Sequence, residues 1–163
     1  MDLTLAGWLL AAAIVLHMLE EVIWLPPWSQ TAGAWHPPVG RGEFGLSAAV
    51  VVLLAVLLAW ASQAGGRESL GAYLLAAFSA VMFLNFFVPH AGAALQLRRY
   101  APGLLTSAAL VVPASLNFVQ QAMAQGYVSA LPFLLAAAGA TVLVAVVWPR
   151  LVGLARRVLR QAR

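Results

Sequence analysis

The sequence predicts an all-α integral membrane protein, a bundle of about five transmembrane helices without a soluble domain. Of the 163 residues, 63% are hydrophobic and 9% are charged, whereas a soluble domain is usually about 45–50% apolar and about 25% charged. Five apolar segments are long enough for helices that cross a bilayer, which takes about 20 residues each. Such a chain lacks the polar surface that would cover a water-soluble protein of this size.

Each predicted span is a run of apolar residues bounded by polar or turn-forming ones. Pro89 interrupts the third run, and we expect a kink there because proline removes a helical hydrogen bond. Residues 1–149 form the predicted transmembrane domain, and residues 150–163 a cytoplasmic, Arg-rich helix lying on anionic lipid. The predicted spans cover residues 3–24, 44–62, 70–97, 102–124 and 129–148.

The distribution of arginine predicts the orientation of the chain in the membrane. With five alternating spans, Arg67 lies alone on one side and the other eight arginines lie on the opposite side. Because cytoplasmic loops carry an excess of basic residues, we place the C-terminus in the cytoplasm and the N-terminus outside. We therefore predict a multi-pass protein of the cell inner (cytoplasmic) membrane. The eight cytoplasmic residues are Arg41, Arg98, Arg99, Arg150, Arg156, Arg157, Arg160 and Arg163.

Composition also excludes several kinds of chemistry. The chain has no cysteine, which rules out disulfides, thiolate metal sites and cysteine nucleophiles. It has no lysine either, so Schiff-base chemistry is excluded, and no nucleotide or flavin motif is present. In a membrane protein, basic charge sets topology and contacts anionic lipid. We therefore expect membrane lipid and a hydrophobic small molecule as partners, and no nucleic acid.

Three ionisable residues lie close together inside the first predicted span: His17, Glu20 and Glu21. Spacings of three and four residues place both carboxylates on the same helical face as the imidazole. Ionisable groups inside a membrane are costly and generally mark functional sites. The alternatives are hydration near the interface or simple hydrogen bonding between helices. Two adjacent carboxylates fit these alternatives poorly, because they repel unless a proton, cation or basic partner separates them.

Further polar residues are predicted at a similar depth. His90 follows Pro89, and this proline also frees the backbone carbonyl of Asn85. On the same side, Tyr100-Ala101-Pro102-Gly103 opens the fourth helix, where a proline in the first turn costs little. Tyr100 is either an interfacial anchor or a hydrogen-bond donor to a substrate. Glu43, in the connection between the first two spans, could cover the same cavity.

A second polar set in the fourth span repeats the spacing of the first-span cluster. By count along the helix it lies nearer the outer leaflet, about 15 Å from His17. Hydrogen bonding between helices is the favoured role, and lining the far end of a tunnel is the other. The set consists of Asn117, Gln120 and Gln121.

Together these motifs resemble a family of small multispanning bacterial membrane proteins named for its HXXEE motif. Its features are HXXEE, a further histidine and a YXPG motif, and they match His17-Met18-Leu19-Glu20-Glu21, His90 and Tyr100-Ala101-Pro102-Gly103 in that order. The resemblance covers roughly residues 5–149. It adds weight to these residues as a site, but it implies no substrate.

Three functions fit the sequence, and a membrane-embedded enzyme acting on a lipid or isoprenoid-like substrate is favoured. His17, Glu20, Glu21 and His90 could bind a divalent metal, zinc or iron, with open positions left for water. Alternatively, a buried carboxyl group and a base could catalyse isomerisation or cyclisation without metal. Either mode predicts catalytic roles for these four residues and Tyr100. The predicted supporting residues of the site are Asn85, Glu43, Pro102 and Gly103. The predicted reaction is of hydrolase or isomerase/cyclase type.

The second function is transport of a metal ion or protons, since intramembrane His and Glu are typical of such paths. No inverted repeat is visible, however, although many secondary transporters have one. The polar residues also concentrate in one leaflet, and a homo-oligomer could remove both objections. The third function is an accessory subunit of another membrane protein, which leaves the adjacent glutamates unexplained.

Overall fold

A computed structural model describes residues 2–161, with side chains through residue 159. This part of the chain is helical and contains no strand, which confirms the predicted fold class. Five helices are long and apolar enough to cross a membrane. We name them α1 (Leu3–Ser29), α2 (Arg41–Gly65), α3 (Leu70–Leu97), α4 (Leu104–Ala124) and α5 (Ala130–Gln161).

Two helices are longer than their apolar runs suggest. Helix α1 continues through Pro26 and Pro27 to Ser29, although the first predicted span ends at residue 24. Helix α5 continues through Pro149 to Gln161, so residues 150–161 extend the fifth span as one helix. Met1, Ala162 and Arg163 lie outside the described residues. The position of this extension on anionic lipid and the orientation of the termini stay predictions.

Small residues allow the helices to pack closely. Helix α1 contacts α2 and α4, while α3 contacts α2, α4 and α5. Ala6, Ala55 and Ala72 are completely buried, and a Cβ atom on Gly71 would overlap the backbone of Ala61. Close approach of this kind is how helices associate in membranes, where burial of apolar surface gives little driving force.

Both α3 and α4 contain a wide, π-type turn. In α3 it covers Phe86–Ala91, and Val88, directly before Pro89, has extended backbone angles of φ −135° and ψ 116°. In α4 the wide turn covers Ser107–Val111. Such turns occur frequently at functional sites because they redirect a side chain within a helix. Here one carries His90 and the other begins at Ser107.

The connection between α1 and α2 folds back onto the bundle. The backbone N–H of Val39 donates to Ser29 Oγ at 3.1 Å, and Trp35 Nε1 donates to Gln96 Oε1 on α3 at 2.8 Å. Val39 is buried. These contacts fix the connection beside the end of the bundle that carries the two wide turns.

Candidate functional site

Three of the predicted site residues, His17, Glu21 and His90, meet in the interior of the bundle. Their exposed fractions are 0%, 5% and 1%. His17 Nε2 lies 3.6 Å from Glu21 Oε2, and His90 Nε2 lies 3.6 Å from Glu21 Oε1. The two imidazole rings are perpendicular, with centroids 5.1 Å apart. One potential ligand atom from each residue lies within 4.8 Å of the others.

Local structure explains this meeting. His17 and Glu21 are four residues apart on α1, where helical periodicity places side chains on the same face. His90 reaches them from α3, where it lies within the wide turn Phe86–Ala91. The interruption at Pro89 therefore determines how the third member of the cluster enters the core.

Glu20, next in sequence to Glu21, has a different environment, because donors from the start of α4 occupy its oxygens. Oε1 accepts hydrogen bonds from the Tyr100 hydroxyl and from Gly103 N at 2.8 Å. Oε2 accepts from Thr106 N at 3.2 Å and from Thr106 Oγ1 at 2.6 Å. Four donors for two oxygens match the acceptor capacity of an ionised carboxylate. Glu20 thus caps α4, whose first N–H groups lack helical partners and whose dipole favours negative charge.

Hydrogen bonds assign the tautomer of His17. Its Nδ1 lies 3.1 Å from Thr106 Oγ1 and 3.3 Å from Ser107 Oγ. Because the single hydroxyl hydrogen of Thr106 is donated to Glu20, Thr106 Oγ1 accepts from His17 Nδ1–H, and the backbone of Gly103 is a second partner of this ring. His17 Nε2 is then unprotonated, and this buried atom has no hydrogen-bond partner.

The same reasoning applies to His90. Its Nε2 lies 2.9 Å from Asn85 Nδ2, which as an amide nitrogen can only donate. On the other side of the ring, His90 hydrogen bonds to the backbone of Pro102. Nδ1 therefore carries the proton. The lone pair of His90 Nε2 accepts from Asn85, whereas that of His17 Nε2, on the side of Glu21, has no hydrogen-bond partner.

Gly103 forms the floor of the cluster. A Cβ atom at this position would lie 2.5 Å from His90 Cε1 and 2.7 Å from His17 Cε1. Its φ of +86° also falls in the left-handed region that other residues rarely adopt. The Tyr-x-Pro-Gly turn therefore supplies a donor to Glu20, a backbone partner to His90 and a flat contact for both rings.

The structure brings together most of the predicted site residues but not all of them. His17, Glu20, Glu21, His90 and Tyr100 form one group, together with the supporting residues Asn85, Pro102 and Gly103. Glu43 instead forms an ion pair with Arg156 on α5, with 3.2 Å between Arg156 Nε and Glu43 Oε1.

The second polar set lies elsewhere on α4. Gln121 Oε1 accepts a hydrogen bond at 2.9 Å from Gln125, the residue that follows α4, and Gln120 is exposed. Hydrogen bonding between helices stays the prediction for this set.

Sequence reasoning missed Thr106 and Ser107, the two hydroxyl residues next to His17. Both follow the Tyr-x-Pro-Gly turn within four residues, in the first part of α4, where side-chain hydroxyls commonly bond to nearby groups. The sequence feature that could have identified them is their position shortly after Gly103 of the Tyr-x-Pro-Gly motif. Single Ser and Thr residues in a span are otherwise ordinary, and so they did not stand out.

A multi-pass helical membrane protein with a buried His/Glu/His cluster is the class that this fold and site define. The chain belongs to the family described as "Protein of unknown function with HXXEE motif", whose model matches residues 8–118. It is also similar to the uncharacterized protein YrkK of Bacillus subtilis (strain 168), with 35% identity over 109 residues, 67% of this chain and 69% of that protein. No solved structure matches the chain significantly. The resemblance seen in the motifs is thus confirmed, and the matched region contains the whole cluster.

Proposed function

We propose that His17, Glu21 and His90 bind a divalent metal ion, zinc or iron, and that the protein is a membrane-embedded enzyme acting on a hydrophobic substrate. One observation carries the proposal. Two unprotonated imidazole nitrogens and a carboxylate converge in the core, and 3.6 Å between neighbouring atoms is too long for a hydrogen bond. A cation bound among these atoms would supply the partner that the buried His17 Nε2 lacks and would offset the buried carboxylate.

The donor set fits such an ion. Imidazole nitrogens and a carboxylate oxygen are common ligands of zinc and of iron. With bonds of 2.0–2.1 Å, ligand atoms of a tetrahedral site lie about 3.3 Å apart. The distance between His17 Nε2 and Glu21 Oε2 is 3.6 Å, and the three ligand atoms lie within 4.8 Å of one another, so the side chains would move closer together around an ion. His90 Nε2 would then give up the amide hydrogen bond from Asn85.

Three protein ligands favour catalysis over a purely structural site. Structural zinc sites are closed by four protein ligands, whereas catalytic sites keep a position open for water or substrate. His17, Glu21 and His90 would hold the ion and exclude bulk water from it, and the ion would supply polarisation of a bound oxygen, the chemistry of hydrolysis or isomerisation.

The packing beyond the cluster favours an enzyme over a transport path. Leu10, Ile14 and Phe118 are completely buried, and they fill the bundle between the cluster and the end of α1 at Leu3. A transport path requires polar groups or water through this region. A buried site without such a path suits chemistry on a bound substrate instead.

Exposed apolar side chains beside the cluster support a lipid or isoprenoid-like substrate. Tyr100 is 50% exposed, and Leu105, whose backbone N–H donates to the Tyr100 hydroxyl at 3.2 Å, is 65% exposed. In a bilayer these surfaces contact acyl chains, so a hydrophobic molecule would reach Tyr100 and Glu20 without entering water. Because the hydrogen of the Tyr100 hydroxyl is donated to Glu20, the hydroxyl oxygen would act there as an acceptor for a donor group of a substrate.

Elemental analysis of detergent-purified, full-length protein tests the metal site. We expect stoichiometric zinc or iron in the wild type and its loss in His17→Ala, Glu21→Gln and His90→Ala. His36→Ala is the matched control, because this histidine lies in the α1–α2 connection and bonds to the Pro37 carbonyl. Absence of metal from the wild type after reloading with zinc and with ferrous iron would contradict the proposal and favour acid–base chemistry.

A separate experiment tests the enzymatic part. Membrane lipids and isoprenoids are compared by mass spectrometry between cells that express the wild type and cells that express Glu21→Gln at the same level. We expect a lipid that accumulates or disappears only with the wild type. Identical lipid profiles combined with metal-dependent ion uptake into vesicles would replace the enzyme by a transporter.

A further inference from the structure

We infer that Thr106, which lies outside every motif in the sequence, is a positioning residue for the metal site. Its hydroxyl connects Glu20 to His17 and holds the imidazole with Nε2 as the metal-binding atom. This inference rests on the proposed metal function and adds a role for a residue that does not touch the ion. It also explains why the motif needs two adjacent glutamates.

The connection begins at a fixed carboxylate. Backbone N–H groups of Gly103 and Thr106 bind Glu20 at 2.8 and 3.2 Å, so the carboxylate is held by the start of α4 and not only by mobile side chains. The Thr106 hydroxyl donates to this carboxylate at 2.6 Å, the short distance expected of a charge-assisted hydrogen bond. The direction of the hydroxyl is therefore set by Glu20.

That direction, together with the backbone hydrogen bond of His17 to Gly103, favours the proton on Nδ1 of His17. With its hydrogen on Glu20, Thr106 Oγ1 offers only lone pairs to His17 Nδ1, 3.1 Å away. The opposite tautomer would set two lone pairs against each other and turn an N–H toward the metal position. Metal-binding histidines generally donate their second nitrogen to a carboxylate or carbonyl; here the hydroxyl relays that role from Glu20.

Ser107 provides the internal comparison. Its hydroxyl lies 3.3 Å from the same Nδ1, but no bond links it to Glu20 among the described contacts, so its orientation is not set by the carboxylate. If any nearby hydroxyl sufficed, Thr106 and Ser107 would be equivalent. If the link to Glu20 matters, only Thr106 affects the metal site.

Zinc affinity of the full-length protein in detergent, measured by competition with a chromophoric chelator, tests this difference. Thr106→Val keeps the side-chain shape and removes the hydroxyl; we expect zinc to bind about 10- to 100-fold more weakly. Thr106→Ser keeps the hydroxyl and should stay within about 3-fold of the wild type, as should Ser107→Ala. Equal zinc affinity in Thr106→Val and the wild type would overturn the inference.

A metal-free measurement separates this inference from the metal proposal. The chain has three histidines, so ¹⁵N-imidazole spectra of histidine-labelled protein resolve the tautomer of each, and His17→Gln assigns the His17 signals. We expect the Nδ1–H form at His17 in the wild type and a mixture of forms in Thr106→Val. Thr106→Ala replaces that variant if it fails to elute as a folded species.

The outcomes are then distinct. A tautomer change at His17 without zinc binding to the wild type would keep Thr106 as a positioning residue for His17 and overturn the metal site. Zinc binding by the wild type, with neither affinity nor tautomer changed in the Thr106 variants, would keep the metal site and overturn the role of Thr106.

Discussion

Glu20 and Glu21 are neighbours in sequence, yet they belong to two different regions of the molecule. The side chain of Glu20 extends from α1 to the start of α4, where four donors surround its oxygens. Glu21 lies in the core between His17 and His90, and the two nearest ring nitrogens, each 3.6 Å away, carry no hydrogen that they could donate to it. One carboxylate is saturated with hydrogen bonds and the other faces unprotonated nitrogens.

This difference in environment shows that two adjacent carboxylates in a membrane helix can have separate roles. Successive helical residues point about 100° apart, so each carboxylate meets a different neighbour. We interpret Glu20 as a structural cap and positioning group, and Glu21 as the ligand. Substitutions that add or remove a donor should therefore act in opposite directions at the two positions.

The largest expected effect comes from Gly103→Ala, which breaks both regions together. The added Cβ would meet His90 Cε1 at 2.5 Å and His17 Cε1 at 2.7 Å, in a backbone conformation with φ +86° that alanine tolerates poorly. Strain and overpacking together should lower the free energy of unfolding by about 2–5 kcal/mol. A thermal melt in detergent and metal analysis of the surviving folded fraction measure both consequences.

Gly139→Ala on α5 is the matched control for that prediction. No atom lies within 4 Å of a Cβ built at this position, and alanine is the better helix former by about 1 kcal/mol. We expect an unchanged or slightly raised melting temperature and normal metal content. A Gly103→Ala protein that melts and binds metal like the wild type would mean that the contact between the turn and the two rings is not required.

How far the sequence predicted this arrangement depends on how local each feature is. The five helices and the shared face of His17 and Glu21 follow from composition and helical periodicity, and both were predictable. The approach of His90 was indicated by Pro89 and by its count along the third span. These features depend on one helix at a time.

Features that depend on how two helices meet were not predictable. The division of tasks between Glu20 and Glu21 results from where the start of α4 lies against α1, and nothing in the spacing of the motif determines that contact. Thr106 gains its role only through the same contact. Glu43 looked like a site residue because of its predicted depth, but it pairs with Arg156 on a helix distant in sequence.

Replacing each glutamate by glutamine tests whether the two substitutions change the stability of the protein in opposite directions. In Glu20→Gln the amide NH₂ is itself a donor, and it faces other donors that include two backbone N–H groups. We expect a loss of about 1–3 kcal/mol in stability. In Glu21→Gln the new amide can donate to an imidazole lone pair, so the metal-free protein should be as stable as the wild type or more stable. Melting temperatures in the presence of a chelator measure both.

Glu68→Gln is the control for charge removal. Glu68 is exposed in the α2–α3 connection, so this substitution should change neither stability nor metal content.

Metal content should also differ between the two test variants. We expect Glu21→Gln to lose the ion and Glu20→Gln to retain it with reduced affinity. Equal destabilisation by Glu20→Gln and Glu21→Gln would show that the two carboxylates have equivalent environments, and would contradict their assignment to different roles.

Tyr100→Phe is expected to have the smallest effect and also a dependence on pH. It removes one of four donors to Glu20 at a half-exposed position, which should lower stability by about 0.5–1.5 kcal/mol near neutral pH.

Burial, together with the hydrogen bond to Glu20, raises the pKa of Tyr100 above its ordinary value of 10.0. A raised pKa means that the folded protein favours the protonated phenol, so the contribution is complete below about pH 10 and disappears as the pH rises through the folded-state pKa. The difference in melting temperature between wild type and Tyr100→Phe should therefore be constant from neutral pH to about pH 9 and shrink above it. A difference that persists unchanged into the alkaline range would mean that packing of the ring, and not its donation to Glu20, is what Tyr100 contributes.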